Sequence, residues 1–458
     1  GQSKIPGSDF TILHTGRVSK GANRIKMDLL GDIGAADQLT SARLENEVLK
    51  EQVKALKQRC NVLTVENEAL KAEVEIYRSE AAAAELSSGV GTSETSINRN
   101  VQSSENIDHF IKSGDGDYAK TKSVLLENCH GNSNVLCCSL SNDDSVLATG
   151  GADRNLSLTL WNCAFGSHTP QQVVENSSRV DCEAPVISVD FSRKGHRTKF
   201  VAAGCMDGSV HVIYFEKDGS VINIEEVGKG IIKHGKYVRC LAWSPTENVL
   251  ATASADGCIQ VHKLVWNLID ATGATLEKVQ NLQLSGPIES ICFREDHLCC
   301  YARGSPYLIC FDLQDNFSQQ KFHLNRGPGN AFFDDHVSFA VMDISPFKSD
   351  YLALATDNSR NIIMDWRSSN QVRNLYGHKN DCYSQPKLAW SKSGQYLYGN
   401  SQHESVVCVW DIASSSIVEH LEGHSNPVRD LFASKSTETL VTTSFDKKTH
   451  FWLASEDT

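Results

Sequence analysis

One pattern of apolar and polar positions recurs along the chain beyond residue 120. An apolar residue is followed by two others, a second apolar residue, one other and a large apolar residue, and often by Ser, as in "VISVDFS" from Val186. The sixth residue of the pattern falls at positions 140, 191, 243, 293, 344, 390 and 433, so successive units are 43 to 52 residues apart. Seven units at near-constant spacing indicate a repeat architecture.

Each unit continues in the same way after this first stretch. A polar turn leads into an apolar strand, a turn of small residues with an acid follows, and another strand comes next, as in "LATASADGCIQVHKL" and "LVTTSFDKKTHFW". Short strands at regular spacing with turn signals between them predict an all-β fold. About four strands per unit, repeated seven times, predict a seven-bladed β-propeller.

Several residues of these units resemble WD repeats. Units six and seven each carry a Gly-His pair, and unit six ends "VCVWDI". The resemblance covers about residues 120 to 455, with departures such as His262 at the Trp position of unit three. It implies a structural tetrad of side chains that hydrogen-bond within one blade, complete in unit seven as His424, Ser444, Asp446 and Trp452. Such residues are internal struts rather than a catalytic triad.

The resemblance also implies where partners bind. In WD propellers, partners often bind the face around the central channel, and three positions per blade line that face. The matching positions here include Met206, Tyr237, Arg239, Glu289, His403, Arg429 and Phe445. Large aromatic, Met and Arg side chains suit binding hot spots. An alternative is that Met206 and Phe445 only seal the channel mouth.

The two ends of the repeat region are expected to meet. In WD repeats the sequence unit is offset from the blade, so the last blade takes its outer strand from elsewhere in the chain. The segment Lys122 to Asn128 precedes the first unit, so there is no earlier blade to which it could contribute an outer strand. We expect it to pair beside Thr449 to Leu453 and to close the ring.

Residues 39 to 81 show a different period, of seven residues. Leu recurs at the d position and several a positions hold Val or Asn, which favours a parallel two-stranded coiled coil. The residues that would form the dimer are Asn46, Leu49, Val53, Leu56, Leu63, Asn67, Leu70 and Val74. Paired Asn side chains at a would fix the register of a homodimer. The alternative is a single surface helix packed on the following domain.

These patterns divide the chain into four segments. Residues 1–36 are predicted to be a flexible N-terminal tail and residues 37–85 a long α-helical coiled coil. Residues 86–119 are rich in Ser, Asn, Gly and Thr, a composition typical of a disordered linker. Residues 120–458 form the predicted propeller.

Charge, hydropathy and cysteine content limit the function classes and the cell compartments that fit the chain. A net charge of −12 argues against a general nucleic-acid binder, which needs a basic face. No apolar run approaches the roughly 18 residues that a membrane span requires. The 15 cysteines include no C-x-x-C pair, and we expect them to be reduced and mostly buried. The expected location is therefore cytoplasmic, with the nucleus as an alternative.

Sequence signals for catalysis, cofactors and metals are missing. The chain has no Gly-rich phosphate loop, no H-E-x-x-H and no G-x-S-x-G. Its 16 histidines do not cluster at metal-ligand spacing, and Asp334-Asp335-His336 is interpreted as a solvated turn rather than a metal site. We therefore expect a protein that is not an enzyme and that needs no cofactor or metal.

The predicted function is a protein–protein interaction scaffold or adaptor. A coiled coil would pair two chains, and each propeller face would bind partner proteins. One alternative is a substrate receptor of a cullin-type ubiquitin ligase, because Asp365-Trp366-Arg367 faintly resembles the Trp-Asp-x-Arg motif of WD proteins that recruit such ligases. A second alternative is a regulatory subunit of an enzyme complex, for which the sequence has no supporting motif.

Overall fold

The computed structural model describes most of the chain beyond residue 116. The described residues are Lys50, Lys54, 117–163, 177–193, 199–218, 221–267, 270–324, 337–347, 351–366, 370–380 and 385–454. The tail, the coiled coil with its dimer residues, and nearly all of the linker lie outside them, so those assignments stay predictions. Among the described residues, no helix has the length and apolar character of a membrane-spanning segment.

The described strands form seven antiparallel four-stranded sheets, six of them meanders of consecutive strands. Blade 1 consists of β2 (Val135–Leu140), β3 (Val146–Gly151), β4 (Leu158–Asn162) and β5 (Ser177–Val180). Blade 2 consists of β6 (Val186–Phe191), β7 (Phe200–Cys205), β8 (Val210–Asp218) and β9 (Val221–Val227). Blade 3 consists of β10 (Val238–Trp243), β11 (Val249–Ser254), β12 (Cys258–Asn267) and β13 (Asp270–Gln283). Blade 4 consists of β14 (Ile288–Arg294), β15 (His297–Ala302), β16 (Tyr307–Asp312) and β17 (Ser318–His323).

The remaining strands complete the ring and confirm the predicted all-β, seven-bladed propeller. Blade 5 consists of β18 (Val341–Phe347), β19 (Tyr351–Thr356), β20 (Asn361–Asp365) and β21 (Asn370–Leu375). Blade 6 consists of β22 (Leu388–Trp390), β23 (Tyr396–Ser401), β24 (Val406–Asp411) and β25 (Ser416–Leu421). Blade 7 consists of β26 (Val428–Ala433), β27 (Leu440–Ser444), β28 (Lys448–Leu453) and, from the other end of the repeat region, β1 (Thr121–Glu127).

The pairing of β1 with β28 confirms the predicted closure of the ring. The two strands are antiparallel, with Thr121 opposite Leu453 and Glu127 opposite Lys448. The Lys120 amide donates to the Leu453 carbonyl at 3.0 Å, which extends the pairing by one residue. β1 covers the backbone edge that β28 would otherwise expose, and exposed edges invite unwanted pairing.

The core lies between neighbouring blades rather than within one sheet. Both faces of β3, β7, β11 and β19 are buried. One cluster joins Leu158 and Leu160 of blade 1 to Phe191, Val201 and Ile213 of blade 2. A strand that is covered on both faces reads as a continuous apolar run rather than as an alternating one. This explains runs such as "VLATAS" in the sequence.

Candidate functional site

A repeated backbone irregularity shapes the mouth of the central channel. In six of the seven described inner strands, the register with the second strand shifts between the first and third residues. The residues left between the paired positions are Leu136, Ile187, Arg239, Glu289, Met342 and Arg429. A bulge of this kind re-aims the side chain of the unpaired residue. All six of these residues line one cavity.

This cavity, of about 440 Å³, gathers most of the residues predicted from the sequence to bind partners. Met206, Tyr237, Arg239, Glu289 and Arg429 all line it. A second cavity of about 430 Å³ shares Leu241 and Ile291 with the first, so both lie along the central channel.

The other two predicted binding residues lie apart from this cavity. His403 is exposed in the turn after β23, and Phe445 is half-buried in the turn after β27. The sequence prediction in turn missed Asp343, Lys387 and Asp430, which line the cavity. Asp430 directly follows the predicted Arg429. A search that also included the third residue of each inner strand would have found both Asp430 and Asp343.

A buried carboxylate pairs with Arg239 of the mouth and with Arg303, which lines a different cavity. Glu289 is only 5% exposed. Its Oε2 lies 2.5 Å from Nε of Arg239, and its Oε1 lies 2.6 Å from Nε of Arg303. A charge taken out of water requires such pairing. The single negative charge of Glu289 is therefore shared between these two cations.

Two aspartates use their charge to link neighbouring blades. Asp343 accepts hydrogen bonds from the Leu388 amide and from Lys387 Nζ, both at 3.1 Å. Asp430 accepts a hydrogen bond from the Cys138 amide at 3.0 Å. Burial opposes the charge on Lys387, but the two carboxylates outweigh it and raise the pKa of this ammonium group. These contacts tie blade 5 to blade 6 and blade 7 to blade 1.

Arg429 differs from the other cations of the mouth. Its half-buried guanidinium makes no ion pair with any of the described residues. Burial lowers the pKa of Arg429; the nearby carboxylate of Asp430 opposes this and the charge of Arg239 adds to it, and the group keeps its charge at neutral pH. Met206, which lines the same cavity, is 52% exposed. An unpaired guanidinium can bind a carboxylate through two parallel hydrogen bonds.

Blade 7 contains a network of hydrogen bonds between His424, Thr442, Asp446 and Trp452, called the strut below. It differs from the predicted tetrad in one residue. His424 Nδ1 lies 2.9 Å from Asp446 Oδ2, and His424 Nε2 lies 2.9 Å from the hydroxyl of Thr442. The Trp452 indole donates to the same hydroxyl at 3.0 Å. Burial disfavours the charged form of Asp446, but the hydrogen bond from His424 outweighs this and lowers the pKa of the Asp446 carboxyl to about 2.

The residue that joins His424 to Trp452 is therefore Thr442, not Ser444. The Ser444 hydroxyl instead donates to the Asn426 carbonyl at 2.8 Å and accepts from the Asp446 amide at 3.1 Å. Ser444 therefore stabilises the turn that contains Asp446 and takes no part in the contacts that join His424 to Trp452. This corrects the role that the sequence resemblance implied for Ser444.

Blades 1 and 3 contain part of the same strut: blade 1 has the contacts of the hydroxyl with His and Trp, and blade 3, with His262 at the Trp position, has the contact between His and hydroxyl. In blade 1, the Thr149 hydroxyl contacts His130 Nε2 at 3.0 Å and accepts from the Trp161 indole at 2.8 Å. In blade 3, His234 Nε2 lies 2.9 Å from the Thr252 hydroxyl. Sequence reasoning missed His130 because Cys129, not Gly, precedes it.

The match to a known family falls on these three blades. The WD domain, G-beta repeat, matches residues 122–159, 228–263 and 415–452. The chain is a seven-bladed propeller that carries WD40 repeats. No curated protein matches the chain. A WD40 propeller is typically a protein-interaction scaffold, and this fold is generally not an enzyme.

Three groups of side chains in the described residues could hold a metal ion. Two of them, His234 with Asp256 and Cys258, and His424 with Asp446 and His450, include the strut histidines of blades 3 and 7. The third, Cys182 with Cys205 and His211, lies in blade 2, where no strut is present. The sequence interpretation expected no metal site.

The motif behind the ubiquitin-ligase alternative is only partly described. Trp366 is almost buried, and the Arg294 guanidinium lies 4.0 Å from its ring centroid. This tryptophan therefore packs within the propeller. Arg367, and also Asp334, Asp335 and His336, lie outside the described residues.

Proposed function

We propose that the protein is a non-enzymatic scaffold that binds partner proteins at the channel mouth and is paired through residues 39–81. One observation carries the proposal. The mouth places the unpaired guanidinium of Arg429 in the same concave cavity as the exposed thioether of Met206 and the half-buried ring of Tyr237. Arg, Tyr and Met are enriched at protein interfaces and can anchor a partner there.

The charges of the mouth favour a particular kind of partner. Arg239 and Lys387 are already paired with Glu289 and Asp343. Of these three cations, Arg429 makes no ion pair with any of the described residues, so its guanidinium can bind an added negative charge. The best fit is a partner segment with an Asp or Glu side chain, or a terminal carboxylate, flanked by apolar residues that contact Met206. Pairing in a partly desolvated cavity makes such a contact stronger than one at an open surface.

Pairing of two chains would give two identical mouths on one particle. Two linked sites bind a multivalent target far more tightly than one site does, provided that both can reach it. Suitable targets are filaments, coats and other arrays of one protein. This part of the proposal rests on the heptad pattern of residues 39–81.

Proximity labelling with matched variants tests the mouth. Arg429→Glu and Met206→Asp change the mouth, and Val418→Asp places the same charge on the outer strand β25, where Val418 is exposed. We expect both mouth variants to lose a shared set of labelled proteins that the Val418 variant keeps. Equal labelling by all three variants would exclude the mouth as the binding site. Labelling of a ligase adaptor that is lost in Arg367→Ala would favour the ubiquitin-ligase receptor instead.

Light scattering coupled to size exclusion tests the pairing. We expect a dimer for the intact chain and a monomer after deletion of residues 39–81. A double change of Asn46 and Asn67 to Ile is a sharper probe, because it removes the polar pair that would specify two strands. The intact chain running as a monomer at micromolar concentration would refute the pairing without affecting the mouth.

A further inference from the structure

Blade 2 keeps the acidic residue of the strut, as Asp207, but has lost its other three side chains. Val186 pairs with Cys205 as Val428 pairs with Ser444, which aligns blade 2 with blade 7. In this alignment Cys182 takes the position of His424, Ala203 that of Thr442 and Ile213 that of Trp452. None of the three can reproduce the hydrogen bonds that join the entering loop, the second strand and the third strand in blade 7.

A cluster of metal-binding side chains occupies the same place. Cys182 lies in the loop that enters β6, Cys205 ends β7, and His211 is the second residue of β8. Each brings one ligand atom, a thiol sulfur or a ring nitrogen, and these atoms all lie within 4.8 Å of one another. All three residues are at least nine-tenths buried. The cluster therefore joins the same three segments as the strut of blade 7.

The surroundings of His211 point to a ligand. Its Nδ1 lies 2.7 Å from Glu226 Oε1 on β9, while its buried Nε2 has no partner at normal hydrogen-bond geometry among the described residues, and the Cys205 thiol interacts with the ring. A histidine that binds a metal almost always donates its other ring N–H to a carboxylate, a carbonyl or water, which fixes the tautomer and orients the ring. In the strut of blade 7, by contrast, both ring nitrogens of His424 have partners.

We propose that blade 2 binds one zinc-type divalent ion through the sulfurs of Cys182 and Cys205 and Nε2 of His211, with Glu226 orienting the imidazole. Two thiolates and an imidazole suit zinc and exclude the hard, oxygen-seeking Mg²⁺ and Ca²⁺. Both thiols release their protons to solvent on binding, so two thiolates balance the double charge of the ion. A water molecule completes the tetrahedron in sites with three protein ligands.

The site is structural in this proposal. The metal replaces the hydrogen bonds of the strut as the link between the entering loop, β7 and β8, and Glu226 extends the link to β9. A catalytic thiol would need access to a substrate, and Cys205 is fully buried. A disulfide between Cys182 and Cys205 is the competing arrangement, and it would leave His211 Nε2 without a partner.

Metal analysis of the full-length chain, purified without a histidine tag, tests the proposal. We expect about one equivalent of zinc per chain by mass spectrometry. After chelation, added Co²⁺ should give the visible bands of a tetrahedral site and a near-ultraviolet sulfur-to-cobalt band. Cys205→Ser and His211→Gln should lose the metal, and Cys258→Ser, a cysteine of the blade 3 cluster, should keep it.

A second variant keeps the test decisive if the cysteine changes prevent folding. Glu226→Gln removes only the orienting carboxylate, so the chain should fold and bind Co²⁺ roughly 10 to 100 times more weakly. Chelation should lower the melting temperature of the wild-type chain and of Cys258→Ser. The proposal is overturned by a metal-free wild-type chain that takes up no Co²⁺, by a Cys182–Cys205 disulfide in non-reduced peptide mapping, or by unchanged Co²⁺ affinity in Glu226→Gln.

Discussion

The change Thr442→Val tests the strut of blade 7 at its central atom. One arrangement of protons satisfies every contact: His424 donates from Nδ1 to Asp446, the Thr442 hydroxyl donates to Nε2, and the Trp452 indole donates to the same hydroxyl. Thr442 is fully buried. Valine has nearly the same shape, so the change removes the hydroxyl without opening a cavity.

The expected cost follows from the two hydrogen bonds that are lost. Each bond contributes about 1 kcal/mol net, and a buried donor or acceptor left without a partner costs about 1–3 kcal/mol. Thr442→Val leaves the Trp452 N–H and His424 Nε2 without partners in the described structure. We therefore expect the free energy of unfolding to fall by roughly 2–4 kcal/mol.

Thr443→Val is the matched control, one residue along the same strand. Thr443 is equally buried, but its hydroxyl makes one long contact, 3.5 Å from the Asp430 carbonyl. Urea unfolding followed by fluorescence should show a lower midpoint at an unchanged slope for Thr442→Val, and a shift corresponding to under about 1 kcal/mol for Thr443→Val. Equal shifts for the two variants, or a neutral Thr442→Val, would refute the strut.

Three other predictions concern closure, acid sensitivity and the charged mouth. Deletion of residues 120–129 should lower the melting temperature of the whole propeller, because β28 loses its partner strand; an unchanged melting curve would contradict the closure. Burial lowers the pKa of His378 to about 4 in the folded protein, while in the unfolded chain this histidine takes up its proton near pH 6.5. Between these two pH values, the free energy of unfolding therefore falls by about 1.4 kcal/mol for each unit by which the pH is lowered. In His378→Gln, the slope of the unfolding free energy against pH between pH 6.5 and 5 should be smaller by about that amount. An unchanged slope would rule this out. Glu289→Ala should destabilise the fold by at most about 3–5 kcal/mol, the cost of breaking a fully buried pair, since it leaves the partly exposed Arg239 without its carboxylate. Adding Arg239→Ala should restore part of the loss; no recovery in the double variant would argue against this ion pair.

The blades and the ring closure could be predicted from the sequence because they follow from periodicity. Apolar runs that recur every 43 to 52 residues define the units, and the offset between unit and blade then requires a strand from the other end of the repeat region. The strut residue could not be chosen in the same way. Thr442 and Ser444 are both hydroxyl residues on one face of β27, because alternate residues of a strand point the same way. Only the three-dimensional arrangement shows which of them reaches His424.

The cluster in blade 2 could not be predicted from spacing either. Its ligands come from three separate segments: Cys205 lies 23 positions after Cys182, and His211 lies six positions after Cys205. Familiar zinc motifs place two ligands a few residues apart, so a search for such motifs passes over this set. The alignment of blade 2 with blade 7 brings the three residues together, and that alignment depends on the observed strand register.

The residue at the position of Thr442 distinguishes the three blades that the family match covers from the other four. The corresponding residues are Thr149 in blade 1, Ala203 in blade 2, Thr252 in blade 3, Cys300 in blade 4, Leu354 in blade 5 and Gly399 in blade 6. A hydroxyl is present only in blades 1, 3 and 7, which are the blades that the family match covers.

Blade 6 shows that a blade can form without the strut hydroxyl even where the histidine and tryptophan remain. A Cβ on Gly399 would lie 2.7 Å from a methyl of Leu388 and 2.9 Å from the Trp410 ring, so this position has no room for a threonine. The Trp410 indole donates instead to the Tyr376 carbonyl at 2.8 Å. The propeller therefore depends on burial between blades, and the strut is one of several local ways to hold a blade's strands together. A sequence signature built on strut residues detects the blades that use the strut and passes over those that use another solution.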